Sequence, residues 1–372
     1  MLAINAHSMV TSFGFNAATA CAAARAGLTR ASQIEGFSLH SDVEGTFEPV
    51  IAHAVPFLTR GFEENARLQR LLFSGLNELK KEISTRKIGL NSVGFYLSLP
   101  DPQRISTGLM LIPDEDTRML YESDDIDPEE FSTTAHMLLT SAAQQVEWDG
   151  ILDIRYISVA GHAGGTECVA AACRDINNGI VELAIVGAVD SLIDEGTLNW
   201  LNSTGRLKLS DMPVGMIPGE ACAFLALSKR SENAQAEIAS IGLATEPSTL
   251  LSGLTSIGKG LAEAIDKAYG QVAPLQSSNV WIIGDQNGEL YRANEWGHGL
   301  VRVHATWPEL EIPLVSFPVV SFGDTGAASA LIAICTAIHA FERKYAPTKS
   351  AMIISSSETE LRSALIIKCI DV

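Results

Sequence analysis

The sequence predicts an α/β protein built on buried sheets, and three observations lead there. Short apolar runs alternate with stretches of helical periodicity along the chain. Several of these runs are apolar nearly throughout, as in strands covered on both faces. After a polar connector at Ser228 to Ala236 the strand and helix pattern starts again, which sets a boundary between residues 1–232 and 233–372. At 372 residues and 47% hydrophobic, the chain is long enough to bury a sizeable core. With 19% charged residues it is not composed like a disordered segment.

Residues Met1 to Val10 read as a first strand. Ser12 to Asn16 form a turn that ends in an N-cap residue, and Ala17 to Ala26 an Ala-rich helix stopped at Gly27. Ser32 to Phe57 read as loops and short strands. Leu68, Leu71, Leu72, Leu76 and Leu79 recur at helical spacing, so Glu64 to Ile83 is an amphipathic helix. Val93 to Leu99 is a buried strand. Ile112 to Phe131 is acidic and contains Pro128, so it reads as a solvated surface excursion. Its spacing lacks the Gly and the closing Glu of a calcium loop. Thr133 to Gln145 is a helix, and Ile154 to Ala160 a strand.

That strand meets a small-residue elbow, Gly161-His162-Ala163-Gly164-Gly165. Val169, Cys173 and Ile176 then mark a helix, Asn177-Asn178-Gly179 stop it, and Val181 to Gly187 form a further strand. Strand, sharp turn and helix N-terminus together present one side chain, backed by free backbone N–H groups. Here that side chain is His162. A segment from Leu198 to Gly205 and a strand ending at Leu227 follow. In the second half, Leu254, Ile257, Leu261, Ile265 and Ala268 define a helix, and Asn279 to Gly284 a strand. Pro318 to Phe322 lead into Gly323-Asp324-Thr325 and a long helix through Leu331, Ile332, Cys335, Ile338 and Phe341. Met352 to Ile354 and Leu365 to Ile367 are closing strands.

The formal net charge is -18 and the pI about 4.8. That balance opposes nucleic acid and anionic membrane as partners. The six cysteines form no C-x-x-C pair, and most sit in apolar runs as small hydrophobes, which suits a reducing compartment. The N-terminus lacks a basic n-region and a long apolar h-region, and no run reaches the ~20 apolar residues of a membrane helix. A cytoplasmic protein is the expectation. Nothing in the sequence marks a cofactor site.

Three segments carry a resemblance: Ser158 to Gly187, the strand-turn-helix opening at Met1 to Ala26, and Gly215 to Leu227, with Gly219-Glu220-Ala221 in place of a Gly-Glu-Gly signature. They resemble the β-ketoacyl-[acyl-carrier-protein] synthases, the condensing enzymes of the thiolase superfamily, and the resemblance covers most of the chain. It implies a thiolase-like five-layered αβαβα fold of two similar βαβαβαββ halves. It also implies a homodimer, or a heterodimer with a ketosynthase-like subunit, paired through the strand at Ile154 to Ala160. A carrier or client protein is a further implied partner.

The family carries a cysteine at the elbow, where this chain has His162. Its two histidine motifs correspond here to Asp285-Gln286-Asn287-Gly288-Glu289 and Gly323-Asp324-Thr325, so Asp285 and Asp324 stand at the histidine positions. Val319 takes the place of the upstream lysine, and Ser355-Ser356-Ser357-Glu358 that of the Gly-rich closing loop. Condensation by the family's route needs a thiolate that is both nucleophile and leaving group, and two imidazoles that stabilise an enolate and an oxyanion. A carboxylate repels either anion. The expected function is therefore a ketosynthase-like, 3-oxoacyl-[acyl-carrier-protein] synthase homologue acting as a non-condensing partner or scaffold. The alternative is an acyl-thioester transferase or hydrolase with His162, Asp285 and Asp324 as its site. If these three converge, they form a proton-transfer dyad, a divalent-metal site, or a self-neutralising His–Asp network that holds the pocket shut; the network is the expectation. Cys168 reads as core, His7 and His298 as structural or surface histidines, His298 in a loop. Arg292 and Trp296 lie near Asp285 in sequence.

Overall fold

The computed structural model describes residues 2–41, 45–102, 104–108, 111–112, 115–119, 128–229, 234–272, 279–312 and 314–370. In chain order the first half runs β1 (Leu2–Val10), α1 (Ala17–Arg25), β2 (Ser32–Ser41), β3 (Thr46–Ala52), α2 (Pro56–Thr59), α3 (Glu64–Thr85), β4 (Val93–Ser98), α4 (Arg104–Thr107), α5 (Glu115–Met119), α6 (Pro128–Gln145), β5 (Asp153–Ser158), α7 (Gly164–Asn177), β6 (Leu183–Ser191), α8 (Glu195–Ser203) and β7 (Glu220–Lys229). The second runs β8 (Ala236–Thr245), α9 (Lys259–Gly270), β9 (Trp281–Gly284), α10 (Leu290–Thr306), β10 (Val315–Ser316), α11 (Val319–Phe322), α12 (Ser329–Glu342), β11 (Ser350–Ser356) and β12 (Leu361–Cys369). The acidic stretch 120–127 and connector residues 230–233 lie outside the described residues.

The two halves repeat one sheet design. β5, β4 and β6 run parallel, then β7 and β1 follow antiparallel. β10, β9 and β11 run parallel, then β12 and β8 follow antiparallel. The halves join edge to edge where β1 pairs with β8 at Leu2↔Ile238, Ala3↔Glu237 and Ile4↔Ala236. β5 and β10 are left as the outer strands.

Burial sorts the helices into layers. α3 and α6 cover the outer face of the first half through Leu71, Leu72, Leu76, Leu139 and Ala142. α7 and α12 lie in the shared interior, where Val169, Ile176, Leu331 and Ile338 pack between the two halves. α9 and α10 cover the outer face of the second half through Leu261, Ile265, Trp296 and Val303. Helix, sheet, helix, sheet, helix is the five-layered αβαβα arrangement that the resemblance implies. β1 is buried along its whole length and still holds Asn5, His7 and Ser8. Each finds a partner: Asn5 donates to Ser228 Oγ at 2.9 Å, Ser8 to the Gly75 carbonyl at 2.8 Å, and His7 Nδ1 lies 3.0 Å from Gln235 Oε1.

The short strands expected within Ser32 to Phe57 are β2 and β3, paired as an antiparallel hairpin. Other elements differ from the sequence reading, and α6 begins at Pro128 rather than Thr133. The helix expected from Leu254 begins at Lys259, leaving Leu254 and Ile257 exposed. His298 is not in a loop but on the exposed face of α10. That helix buries Arg292 and Glu295 beside Trp296 and Val303, so its inward face reads as polar and hides the periodicity.

Candidate functional site

β5 ends at Ser158, and Gly161–Ala163 make one tight turn before α7 begins. Gly161 sits at φ 61°, a left-handed backbone that glycine adopts without strain. Gly164 must also lack a side chain, since a Cβ there would lie 2.5 Å from Ser98 Oγ. The turn holds His162 in the interior, 4% exposed. The N–H of Ala163, at the head of the helix, donates to Ser357 Oγ at 3.2 Å, and the Ser357 hydroxyl donates to the Ala160 carbonyl.

Both ring nitrogens of His162 are engaged. Nε2 lies 2.7 Å from Asp324 Oδ1, while Arg292 Nη2 lies 3.1 Å from Nδ1 and 3.3 Å from Nε2. In the neutral ring this assigns the proton to Nε2, with Nδ1 accepting from the guanidinium. Burial and the Arg292 charge oppose the imidazolium. The charge and hydrogen bond of Asp324, with Asp285 behind, favour it, and the balance raises the His162 pKa above its ordinary value.

Asp324 is fixed from all sides. Its backbone N–H donates to Ile217 O and its carbonyl accepts from Gly219 N, each at 2.8 Å. Oδ1 also accepts from Gly326 N at 2.9 Å, and Oδ2 from Asn287 Nδ2 at 2.6 Å. Burial pushes this carboxyl up, but His162, Arg292 and Asn287 together hold it well below the carboxylate range. Asp285 does not touch His162. Its Oδ2 accepts from Arg292 Nη1 at 2.9 Å and from Ser356 N at 2.7 Å. Arg292, fully buried, thus stands between the two, and its Nη1 also donates to the Ser356 carbonyl at 2.6 Å.

The network continues outward. Arg206 pairs with Glu289 at 2.7 Å and with Glu358 at 2.5 Å, and Asn287 links Glu289 to Asp324. Arg362 pairs with Glu295 at 2.5 Å, and its Nη1 donates to the carbonyls of Ser357, Thr359 and Leu361, which pins the turn after β11. The network linked to the imidazole holds two guanidinium groups (Arg206, Arg292) and four carboxylates (Asp285, Asp324, Glu289, Glu358), and the Arg104–Asp190 pair lines the same cavity as His162. Asp324 in contact, with Asp285 beyond it, raises the His162 pKa despite burial.

The structure brings His162 and Asp324 into contact and reaches Asp285 only through Arg292. Among the described residues no group of three His, Cys, Asp or Glu is placed to hold a metal ion, and the Arg292 cation occupies the middle of the cluster. Cys168 is core, with burial pushing its thiol pKa well up. Trp296 packs edge-on against Phe317 rather than on the cluster, and Val319 lines a separate cavity of about 20 Å³ behind Asp285. Arg206 escaped the sequence reading of the site, while Asn287, Glu289 and Ser357 lie in its motif segments but had no role assigned. The one local signal was Glu289, Arg292 and Glu295 spaced three apart, which puts them on one helical face.

A cavity of about 50 Å³ lies beside His162, lined also by Leu192, Trp200, Leu201 and Met216. It has room for a few waters and falls well short of the roughly 300 Å³ at which ordinary small-molecule pockets begin. Neither ring nitrogen of His162 is free to exchange a proton with a molecule there. No helix among the described residues is long and apolar enough to cross a membrane.

No protein-family model and no curated protein matches the sequence. Solved structures do match. The ishigamide ketosynthase/chain length factor is 15% identical with a TM-score of 0.69, over 100% of this chain and 99% of that one. A β-ketoacyl synthase from Burkholderia phymatum is 13% identical with a TM-score of 0.70, over 100% and 99%. A ketosynthase in complex with its chain length factor, from Xenorhabdus doucetiae, is 15% identical with a TM-score of 0.67, over 99% and 98%. At such identities the likeness is one of architecture, and the chain has the thiolase-like fold of the ketosynthases and chain length factors.

Proposed function

We propose that this chain is a ketosynthase-like partner or scaffold protein that does not itself condense acyl groups. One observation carries the reading: Arg292 is planted between His162 and Asp285, so the position that would hold a nucleophile is instead a closed ionic network. The elbow N–H of Ala163, a natural oxyanion donor, is already bonded to Ser357. Asp285 and Asp324 stand where the resembling family carries histidines, and neither carboxylate stabilises an enolate.

The partner half of the proposal rests on β5. This strand lies at one end of the sheet, and no strand pairs with its outer edge among the described residues. Ile154, Tyr156 and Ile157 are each partly exposed along it. An unpaired edge strand of this kind, apolar apart from Asp153 and Arg155, is a template for pairing. Among the structural neighbours, one is a ketosynthase with its chain length factor, and another a ketosynthase bound to an acyl carrier protein.

Two measurements test the reading. Light scattering after gel filtration, alone and co-expressed with a ketosynthase-like protein of the same host, is expected to give a dimer mass that Tyr156→Pro on β5 reduces to the monomer. Incubation with acyl and malonyl carrier-protein donors is expected to yield no 3-oxoacyl product. Product release that His162→Ala abolishes would overturn the non-condensing half, and a monomer in every condition the partner half.

A further inference from the structure

We infer that the cavity behind Asp285 is a binding site for one internal water molecule, which donates to Asp285 Oδ1 and bonds Ser355 Oγ. Asp285 directly follows β9, and its two carboxylate oxygens are treated unequally. Oδ2 accepts from Arg292 Nη1 and from Ser356 N, whereas Oδ1 has no partner among the described residues. The hydroxyl of Ser355, on β11, likewise has none. Asp285 is 7% exposed and Ser355 0%, and both line one cavity of about 20 Å³, to which His162 does not contribute. A buried polar atom left bare costs its full desolvation. Two of them on one small space are what a folded interior satisfies with an ordered water. Size and chemistry select that occupant. One water needs about 10–15 Å³ of such space, so the cavity admits one and not two. A carboxylate only accepts, so the occupant must donate. Arg292 already balances the charge of Asp285 through Oδ2, so the second oxygen calls for a neutral donor rather than another cation. Thr325 and Ser329, whose hydroxyls lie 3.1 Å apart, supply the remaining polar wall, and Val319 and Ile332 an apolar one. Held at both oxygens, Asp285 is kept facing Arg292. The water is thus a brace for the guanidinium that separates this acid from His162.

The site is independent of what pairs with β5 and of whether the chain condenses acyl groups, so it fails separately from the partner reading. The experiment is a high-resolution crystal structure of the full-length chain, with a second crystal soaked in rubidium chloride. The expected result is one fully occupied water peak within about 2.5–3.0 Å of both Asp285 Oδ1 and Ser355 Oγ, with no rubidium anomalous signal at that position. Val319→Leu adds a methylene to a wall residue and is expected to lose the peak. Oxygen-17 relaxation dispersion is expected to count one long-lived water fewer in that variant than in the parent. If circular dichroism shows Val319→Leu unfolded, Ala333→Val replaces it, Ala333 being another wall residue. No peak within reach of the two oxygens in the parent, or a rubidium ion in its place, would overturn the inference. So would an equal count of long-lived waters in the parent and in a folded variant whose cavity is filled.

Discussion

Two buried ionic clusters sit in the first half of the molecule and at its centre, and they are built to different rules. At Glu220, within the Gly219-Glu220-Ala221 segment, one carboxylate meets one guanidinium. It accepts from Arg67 Nε and Thr59 Oγ1 at 2.6 Å, from Val55 N at 2.7 Å and from Ser191 Oγ at 2.9 Å. Its oxygens are satisfied and its charge is balanced, so it acts as a fastener between β7 and the α2–α3 segment. In the network linked to His162 the charges are uneven, with four carboxylates, two guanidinium groups and an imidazole whose pKa is raised by Asp324 and Asp285 against burial and Arg292. The first cluster ties two segments together, whereas the second also holds a group whose raised pKa links stability to a proton.

The sharpest way to break this contrast is to remove each guanidinium. Arg292→Met leaves Asp285 and Asp324 buried without their cation, and a loss of about 3–5 kcal/mol in urea unfolding is expected. A loss below about 1 kcal/mol would mean that the centre is held by packing alone. Arg67→Met is expected to cost somewhat less, about 3 kcal/mol, because Glu220 keeps three neutral donors.

A smaller effect separates the clusters by pH. Asp324 has a depressed pKa, so its contribution is complete above the unfolded carboxylate value of about 3.9 and fades as pH falls below it. Asp324→Asn is expected to lose about 1–3 kcal/mol at pH 7 and to flatten the acid limb of stability against pH. His162 has the opposite sign. Its raised pKa gives a contribution present below the unfolded value of about 6.5 and lost as pH rises through the folded value. His162→Gln should therefore flatten the profile on the neutral to alkaline side; an unchanged slope there would show that the ring stays neutral throughout. The smallest effect expected is that of Ser357→Ala, about 1 kcal/mol. Its more informative readout is amide exchange at Ala163, which should quicken once that N–H loses its acceptor.

Much of this arrangement was legible residue by residue. α3 shows its leucines at helical spacing, β6 and α12 are apolar along nearly their whole length, and Asn16 before the alanine run marks the start of α1, where its side chain accepts from Thr19 N at 2.9 Å. Each signal is local, decided by neighbours within a few positions. β8 was not legible, because Glu237, Ser240, Gly242 and Thr245 dilute its apolar residues and its place is set by β1 and β12 on either side. α10 failed for a related reason, its inward face being charged.

The order of residues alone determined where the chain turns at His162 and that acids occupy positions 285 and 324, since a tight elbow needs Gly161 and Gly164 whatever surrounds it. Which charges meet was decided only by folding. Arg292 lies 130 positions from His162, and Asp324 lies 162 from it. Nothing in a run of neighbouring residues encodes such a distance; it emerges when α7, α10 and the turn before α12 converge. There, exclusion of water makes each unpaired charge costly enough to select its partner.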